Sequence, residues 1–211
     1  MIRRPPRSTQ SRSSAASDVY KRQIMMNYFR WIGHYENILS QELCNAITEE
    51  DFNYNESTYS THEGQSTDWK KNKRVKMDEI WIRKDNVYYE ELLNCSTDVA
   101  KRYSEEMTKN KRRFTAEKVT DFRLNKYDVG GFMSKHTDNI HHSHGQQYGY
   151  PQASLLFFLN DDYEGGDFIV SNCHYRPKKG DAIIFPSNFM FPHRVVEVTK
   201  GTRWSIVSWI M

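Results

Sequence analysis

The chain has 211 residues, enough for one substantial domain or at most two small ones. Aromatic side chains make up 14% of it, which suits a sheet-rich core, and no apolar run reaches the length of a membrane-crossing helix, so no membrane partner is expected. The formal charge of +3 does not describe the body, because residues 1–22 hold six basic side chains against Asp18; the remainder is slightly acidic, and no specific nucleic-acid partner is expected.

Residues 1–24 are basic and rich in serine but lack the apolar stretch of a secretion signal, and they are predicted to form a disordered tail. Arg12–Gln23 resembles translated sequencing-adaptor sequence, which makes the tail non-native and puts the expected start near Met25 or Met26. Residues 25–211 then read as a single domain, with helical and strand support over 25–114 and a strand-rich core over 115–211. Cys44, Cys95 and Cys173 are widely spaced and odd in number. They predict reduced thiols in a cytoplasmic or otherwise soluble intracellular protein rather than a disulfide framework.

Tyr28–Ile38 is suited to an entering strand. Ser40 is placed to cap a helix over Gln41–Glu50, with Leu43, Ala46 and Ile47 on its apolar face. Tyr54–Glu63 is polar and β-prone, Asp68–Lys76 reads as a charged loop, and Ile80–Arg83 as a short strand. Two helices are predicted next, Val87–Asn94 and Thr97–Lys109, the second beginning near Ser96 or Thr97. After Phe114 the pattern changes to short strands between Gly, Pro, Asn and Asp turns: Val119–Tyr127, Phe132–Asp138, Ala153–Leu159, Asp167–Val170, Asp181–Phe185, His193–Val198 and Arg203–Ile210. This succession predicts a mainly β fold, a double-stranded β-helix of jelly-roll or cupin-like type, with supporting N-terminal α-helices packed outside one sheet. Leu155, Phe157 and Leu159 share one face and are expected to line the barrel, leaving Leu156 and Phe158 to the helices. Gly165-Gly166 lacks the lysine and hydroxyl of a phosphate loop and reads as a tight turn, with Asp161 and Asp162 as turn residues. Pro186 and Pro192 shape the loop that presents His193, in which Ser187, Asn188 and Met190 are candidates to approach substrate.

Within this strand-rich half, His136 and Asp138 are two residues apart and project from one face of an extended strand. With His193 from a distant strand they compose a two-histidine, one-carboxylate triad, a set that holds Fe(II) while leaving coordination positions open. His141, His142 and His144 offer a competing ligand set at similar spacing, in a Gly/Ser/Gln-rich loop that otherwise reads as solvated. His136 and Asp138 are preferred because they bring the carboxylate.

Asp128-Val129-Gly130-Gly131 before the motif, the run from Leu155 through Tyr163-Glu164-Gly165-Gly166 and Phe185-Pro186-Ser187, and Gly201-Thr202-Arg203 near the end occur in compatible order. On these motifs, residues 120–210 resemble the catalytic domain of iron(II)- and 2-oxoglutarate-dependent dioxygenases in the prolyl 4-hydroxylase-like superfamily, nearest its bacterial and viral members. The resemblance implies Fe(II), 2-oxoglutarate and O2 as cosubstrate, with ascorbate as reductant, and hydroxylation of a C–H bond with succinate and CO2 as coproducts. It implies catalytic roles for His136, Asp138, His193 and Arg203, with Arg203 anchoring the distal carboxylate of 2-oxoglutarate and Tyr127 adding a hydrogen bond. Alternation from Arg203 puts Ser205 and Trp209 on the same face as further cosubstrate contacts, and Asn139 and Asn160 are candidates at the mouth. The implied partner is a proline-containing peptide or protein hydroxylated at proline C4, and Tyr59–Lys76 matches in position the segment that covers peptide in prolyl hydroxylases. The same oxidation of another peptide side chain or a small metabolite is the alternative, and a non-catalytic binding protein a further one. Oligomeric state is not encoded in any of these motifs.

Overall fold

A computed structural model describes residues 30–61, 64–66, 70, 73–115, 118–138 and 150–211. The basic tail, Asn139 and the histidines of the 141–144 loop lie outside the described residues, as does part of Tyr59–Lys76. In chain order the elements are β1 (Gly33–Tyr35), α1 (Gln41–Glu49), β2 (Asn55–Glu56), β3 (Tyr59–Thr61), β4 (Gly64–Ser66), β5 (Val75–Lys76), β6 (Asp78–Ile82), α2 (Tyr89–Lys109), β7 (Phe122–Tyr127), β8 (Phe132–His136), β9 (Ala153–Phe158), β10 (Glu164–Gly165), β11 (Phe168–Val170), β12 (Cys173–Tyr175), β13 (Ala182–Pro186), β14 (His193–Val195), β15 (Val198–Lys200) and β16 (Arg203–Ile210).

α1 starts where its cap predicts: the Ser40 hydroxyl accepts from the Leu43 N–H at 3.0 Å, and Leu43, Cys44 and Ile47 are buried. The two helices expected over 87–109 are one 21-residue helix. Ser96 does not begin a helix but sits fully buried on the inward stripe with Leu92, Val99 and Tyr103. Thr97 returns its hydroxyl to the Leu93 carbonyl at 2.8 Å, a bond made inside a continuing helix. With neither Gly nor Pro in the stretch, nothing interrupts the ladder. Among the described residues, no helix is long and apolar enough to cross a membrane.

The strands form a seven-stranded sheet ordered β1-β13-β9-β16-β7-β6-β2 and a five-stranded sheet ordered β12-β11-β14-β8-β5, with the smaller ladders β10-β15 and β3-β4. Here the structure corrects the expected jelly-roll or cupin-like double-stranded β-helix. The fold is mainly β with supporting helices, but each sheet runs from one edge strand to another and does not close or curl into a barrel. Strands β1, β6 and β2 from the first half widen the large sheet on both flanks, and among the described residues its end strands do not pair with the five-stranded sheet. His193–Val198, expected as one strand, is two, because β14 and β15 pair with different partners. The unexpected β12 arises from a two-residue hairpin at Ser171 and Asn172, both at positive φ (47° and 69°), the primed turn that matches strand twist. Gly165 and Gly166 likewise take positive φ, but Gly165, expected in a tight turn, belongs to β10 at an irregularity of its ladder with β15.

The two faces of the seven-stranded sheet differ. In register, Ser154, Leu156 and Phe158 of β9 share a face with Phe185 of β13, with Ser205, Val207 and Trp209 of β16, and through β16 with Asn125 and Tyr127 of β7. This face meets the five-stranded sheet, since the Phe168 ring of β11 lies 5.9 Å from Phe158 and 6.0 Å from Phe185. Leu155 and Phe157 lie on the other face with Ile184, Ile206 and Leu124, the side on which Tyr89 of α2 packs edge-on to Phe122. The expected assignment of β9 is therefore inverted. Every residue of β9 is buried, so alternation of hydrophobicity could not tell the two faces apart. Ile32–Met211 form one compact unit.

Candidate metal centre

β8 and β14 are hydrogen-bonded neighbours, and their register sets His136 directly opposite His193. The imidazole centroids are 4.3 Å apart. Asp138 follows the end of β8 and turns its carboxylate between them, with Oδ1 3.4 Å from His136 Nε2 and Oδ2 3.5 Å from His193 Nε2. One ligand atom from each residue lies within 4.8 Å of the others, spacing suited to a single ion.

The backbone orients both rings alike. His136 Nδ1 lies 2.8 Å from the Ser134 carbonyl, and His193 Nδ1 3.3 Å from the Phe191 carbonyl, in each case two residues upstream. A carbonyl only accepts, so Nδ1 carries the proton and donates, while Nε2 keeps a lone pair for a metal. Phe185 stands edge-on to His193 at 4.9 Å, with Phe168 at 5.9 Å, giving that ligand an apolar wall. Burial pushes the Asp138 carboxyl up, yet the two imidazoles beside it, His193 above all, outweigh that and hold the group well below the usual carboxylate range. The group is thus an ionised ligand in waiting. Two imidazoles and one carboxylate suit iron(II) among the divalent ions, with positions left for exogenous ligands.

Arg203 begins β16 opposite Tyr127 of β7 and is completely buried. Its Nη1 donates to Ser205 Oγ at 2.9 Å, but Nε and Nη2 have no acceptor among the described residues. The guanidinium carbon lies 5.1 Å from the centroid of the Tyr127 ring and 5.3 Å from that of Phe158. Two neighbouring N–H groups of a buried cation without acceptors form an edge that matches a carboxylate bidentately. Leaving them unmet would cost about 1–3 kcal/mol each.

Residues 122–211 match the family described as the 2OG-Fe(II) oxygenase superfamily. That match takes in a little under half of the chain. Among its relatives, a PKHD-type hydroxylase of Thermosynechococcus vestitus is 36% identical over 93 residues, 41% of this chain and 41% of the relative, so the chain spans about two fifths of that protein's length. Two solved structures share the fold. One is the viral collagen prolyl hydroxylase of Paramecium bursaria chlorella virus 1 in its 2OG complex, 16% identical with a TM-score of 0.59, covering 85% of this chain and 95% of that one. The other is a prolyl hydroxylase of Trichoplax adhaerens in complex with a hypoxia-inducible-factor oxygen-degradation-domain peptide, 15% identical with a TM-score of 0.61, covering 92% of each.

The remaining candidates for the site divide. Tyr127 lies against Arg203; burial raises its phenol above the ordinary range, Arg203 opposes that, and Asp138 is close enough to add to it. Ser205 touches the guanidinium. Trp209 lies farther along the same face, its ring 6.1 Å from Trp81 and 5.3 Å from the Arg123 guanidinium carbon. Asn160 is a turn clamp: its Nδ2 donates to Asp162 Oδ1 and the Thr202 carbonyl, both at 2.7 Å, and its Oδ1 accepts from the Trp204 N–H at 2.8 Å. Ser187, expected to approach substrate, is completely buried and bonds Ser154, while Phe189 and Met190 of the same loop are exposed. Ser154, which donates to Asp138, escaped the sequence reading. The signal was present, since a hydroxyl inside an otherwise apolar strand needs a polar partner.

Proposed function

We propose that this protein is an Fe(II)- and 2-oxoglutarate-dependent dioxygenase that hydroxylates a peptidyl proline at C4. The observation that carries the reading is the pairing of a metal triad on the five-stranded sheet with a buried guanidinium, two of whose N–H groups lack acceptors among the described residues, on the face of the seven-stranded sheet that meets it. His136, Asp138 and His193 would hold the iron, and Arg203 the distal carboxylate of 2-oxoglutarate, with Tyr127 and Ser205 beside it and Trp209 farther along the same face. Together the bound metal and 2-oxoglutarate would supply the oxidising power that places one atom of O2 on a substrate carbon, with succinate and CO2 as coproducts and ascorbate as a reductant that keeps the metal ferrous. The protein's own part is orientation and exclusion of water. The carbonyls of Ser134 and Phe191 fix the imidazoles, Phe168 and Phe185 shield His193, and the rings of Tyr127 and Phe158 lie against the guanidinium.

The proline assignment is supported by the relatives, since a prolyl hydroxylase that holds a peptide shares this fold. The β3-β4 ladder lies within the stretch expected to cover such a peptide. Three free cysteines, two of them buried, support an intracellular, reducing setting.

Anaerobically purified protein loaded with Fe(II), ascorbate, 2-oxoglutarate and a library of proline-containing peptides, then exposed to O2, tests the reading by succinate release and peptide mass together. Succinate with hydroxyproline, both lost in His136→Ala, is the expected result. Succinate with an oxidised side chain other than proline would replace the substrate assignment, and neither product despite Fe(II) and 2-oxoglutarate binding would overturn the enzyme.

A further inference from the structure

Ser154 and Ser187 lie outside the ligand set, yet both are completely buried and joined to it. Ser154 Oγ is 2.6 Å from Asp138 Oδ2, and Ser187 Oγ is 2.8 Å from Ser154 Oγ. The direction of this chain follows from what each group can do. An ionised carboxylate only accepts, so Ser154 gives its single proton to Asp138, and the proton between the serines must come from Ser187. Both hydroxyls are held by backbone pairing. Ser154 lies opposite Phe185 in the β9-β13 ladder, and the Ser187 N–H bonds the Gln152 carbonyl at 3.1 Å, just beyond the end of β13.

We propose that Ser187 and Ser154 are positioning residues that divide the two oxygens of Asp138, holding Oδ2 in the protein and leaving Oδ1 as the oxygen offered to the metal. The inference rests on the reading of His136, Asp138 and His193 as a metal site. A carboxylate committed through one oxygen leaves more of the coordination sphere to exogenous ligands than one bound through both. A charge-assisted bond of this length also fixes the carboxylate plane before any ion arrives. Ser187 acts only through Ser154: its donated proton polarises the inner hydroxyl and fixes the direction in which that hydroxyl points.

Mn(II) is a suitable probe, because its binding is read by the loss of the free-ion EPR signal and needs neither substrate nor turnover. Its affinity is compared in the wild-type chain, Ser154→Ala, Ser187→Ala and the double variant, beside thermal unfolding of the metal-free proteins. Ser154→Ala is expected to bind Mn(II) roughly 10- to 100-fold more weakly and Ser187→Ala to lose less. The double variant should be no weaker than Ser154→Ala, the non-additivity of two groups acting in series. Wild-type affinity in Ser154→Ala overturns the proposal, and losses that simply multiply in the double variant overturn the serial chain. Should Ser154→Ala not fold, Ser154→Cys keeps the volume with a weaker donor and is read in the same way. The two readings separate cleanly. Variants that follow the expected order in a protein that hydroxylates nothing would leave this proposal standing and remove the enzyme, whereas an active hydroxylase whose Ser154→Ala variant binds Mn(II) normally would remove only this proposal. A wild-type chain that takes up no Mn(II) would remove both.

Discussion

The two faces of the seven-stranded sheet are built from the same strands and do opposite work. On the helix side, Leu155, Phe157, Ile184, Ile206 and Leu124 are all completely buried hydrocarbon, the kind of surface whose removal from water drives folding. On the side that meets the five-stranded sheet, the same strands present Ser154, Asn125, Ser205 and Arg203, likewise buried, and of these Asn125 Oδ1 and two nitrogens of Arg203 lack partners among the described residues. Burying such groups opposes folding. The helix face therefore carries stability that these polar groups draw down, and unmet buried donors in that position are intelligible if a ligand completes them.

Substitutions on either side can break this contrast. The largest effect is expected for His193→Ala, which should abolish product formation and Mn(II) binding while the metal-free protein still unfolds cooperatively, as monitored by circular dichroism. Next is Arg203→Met, a replacement of similar length without charge. It should end the rise in melting temperature that 2-oxoglutarate causes in the Mn(II)-loaded protein, and stabilise the ligand-free protein by on the order of 1–3 kcal/mol through removal of unmet donors. A destabilised Arg203→Met protein would mean that the site face is not a cost to folding. Phe157→Ala, one residue away on β9 from the Phe158 that covers the guanidinium, should reverse the pattern, losing about 3–5 kcal/mol in denaturant unfolding with Mn(II) affinity unchanged. The smallest effect belongs to Ser40→Ala at the start of α1, about 1 kcal/mol, with kinetics of the wild type once the protein is folded.

The meeting of His136, Asp138 and His193 was legible because their chemistry is distinctive: a carboxylate two residues from a histidine, and a second histidine on a later strand, have few structural reasons to coincide. Arg203 was singled out through the family resemblance; what the structure adds is its complete burial at the start of an apolar strand. What could not be read was orientation. Ala153–Phe158 is apolar on both sides, so a period of two residues separates its faces without saying which looks inward. Ser154 held that answer, because its hydroxyl needs a polar partner, and Leu156 and Phe158 share its face. The sheet edges were hidden for another reason. β2 and β5 are two residues long, too short to show any period, and their pairing depends on distant strands. The break expected near Ser96 shows the limit of capping residues as signals, since a serine on the buried stripe of a helix looks the same in sequence as one that begins it.

The stretch that matches the superfamily, residues 122–211, supplies only the middle of the large sheet: β13, β9, β16 and β7. Its flanks are β1 on one side, pairing with β13, and β6 on the other, pairing with β7, and both come from the preceding ninety or so residues. The five-stranded sheet depends on the same region through β5, which pairs with β8, the strand that carries His136. Excised at its sequence boundary, the recognisable half would carry three rows of unpaired backbone donors and acceptors and a bare hydrocarbon face where α2 now lies. Such edges template pairing with other chains. The segment most easily identified by its motifs is thus the one least fit to be expressed alone, and the less recognisable half acts as its insulation against self-association.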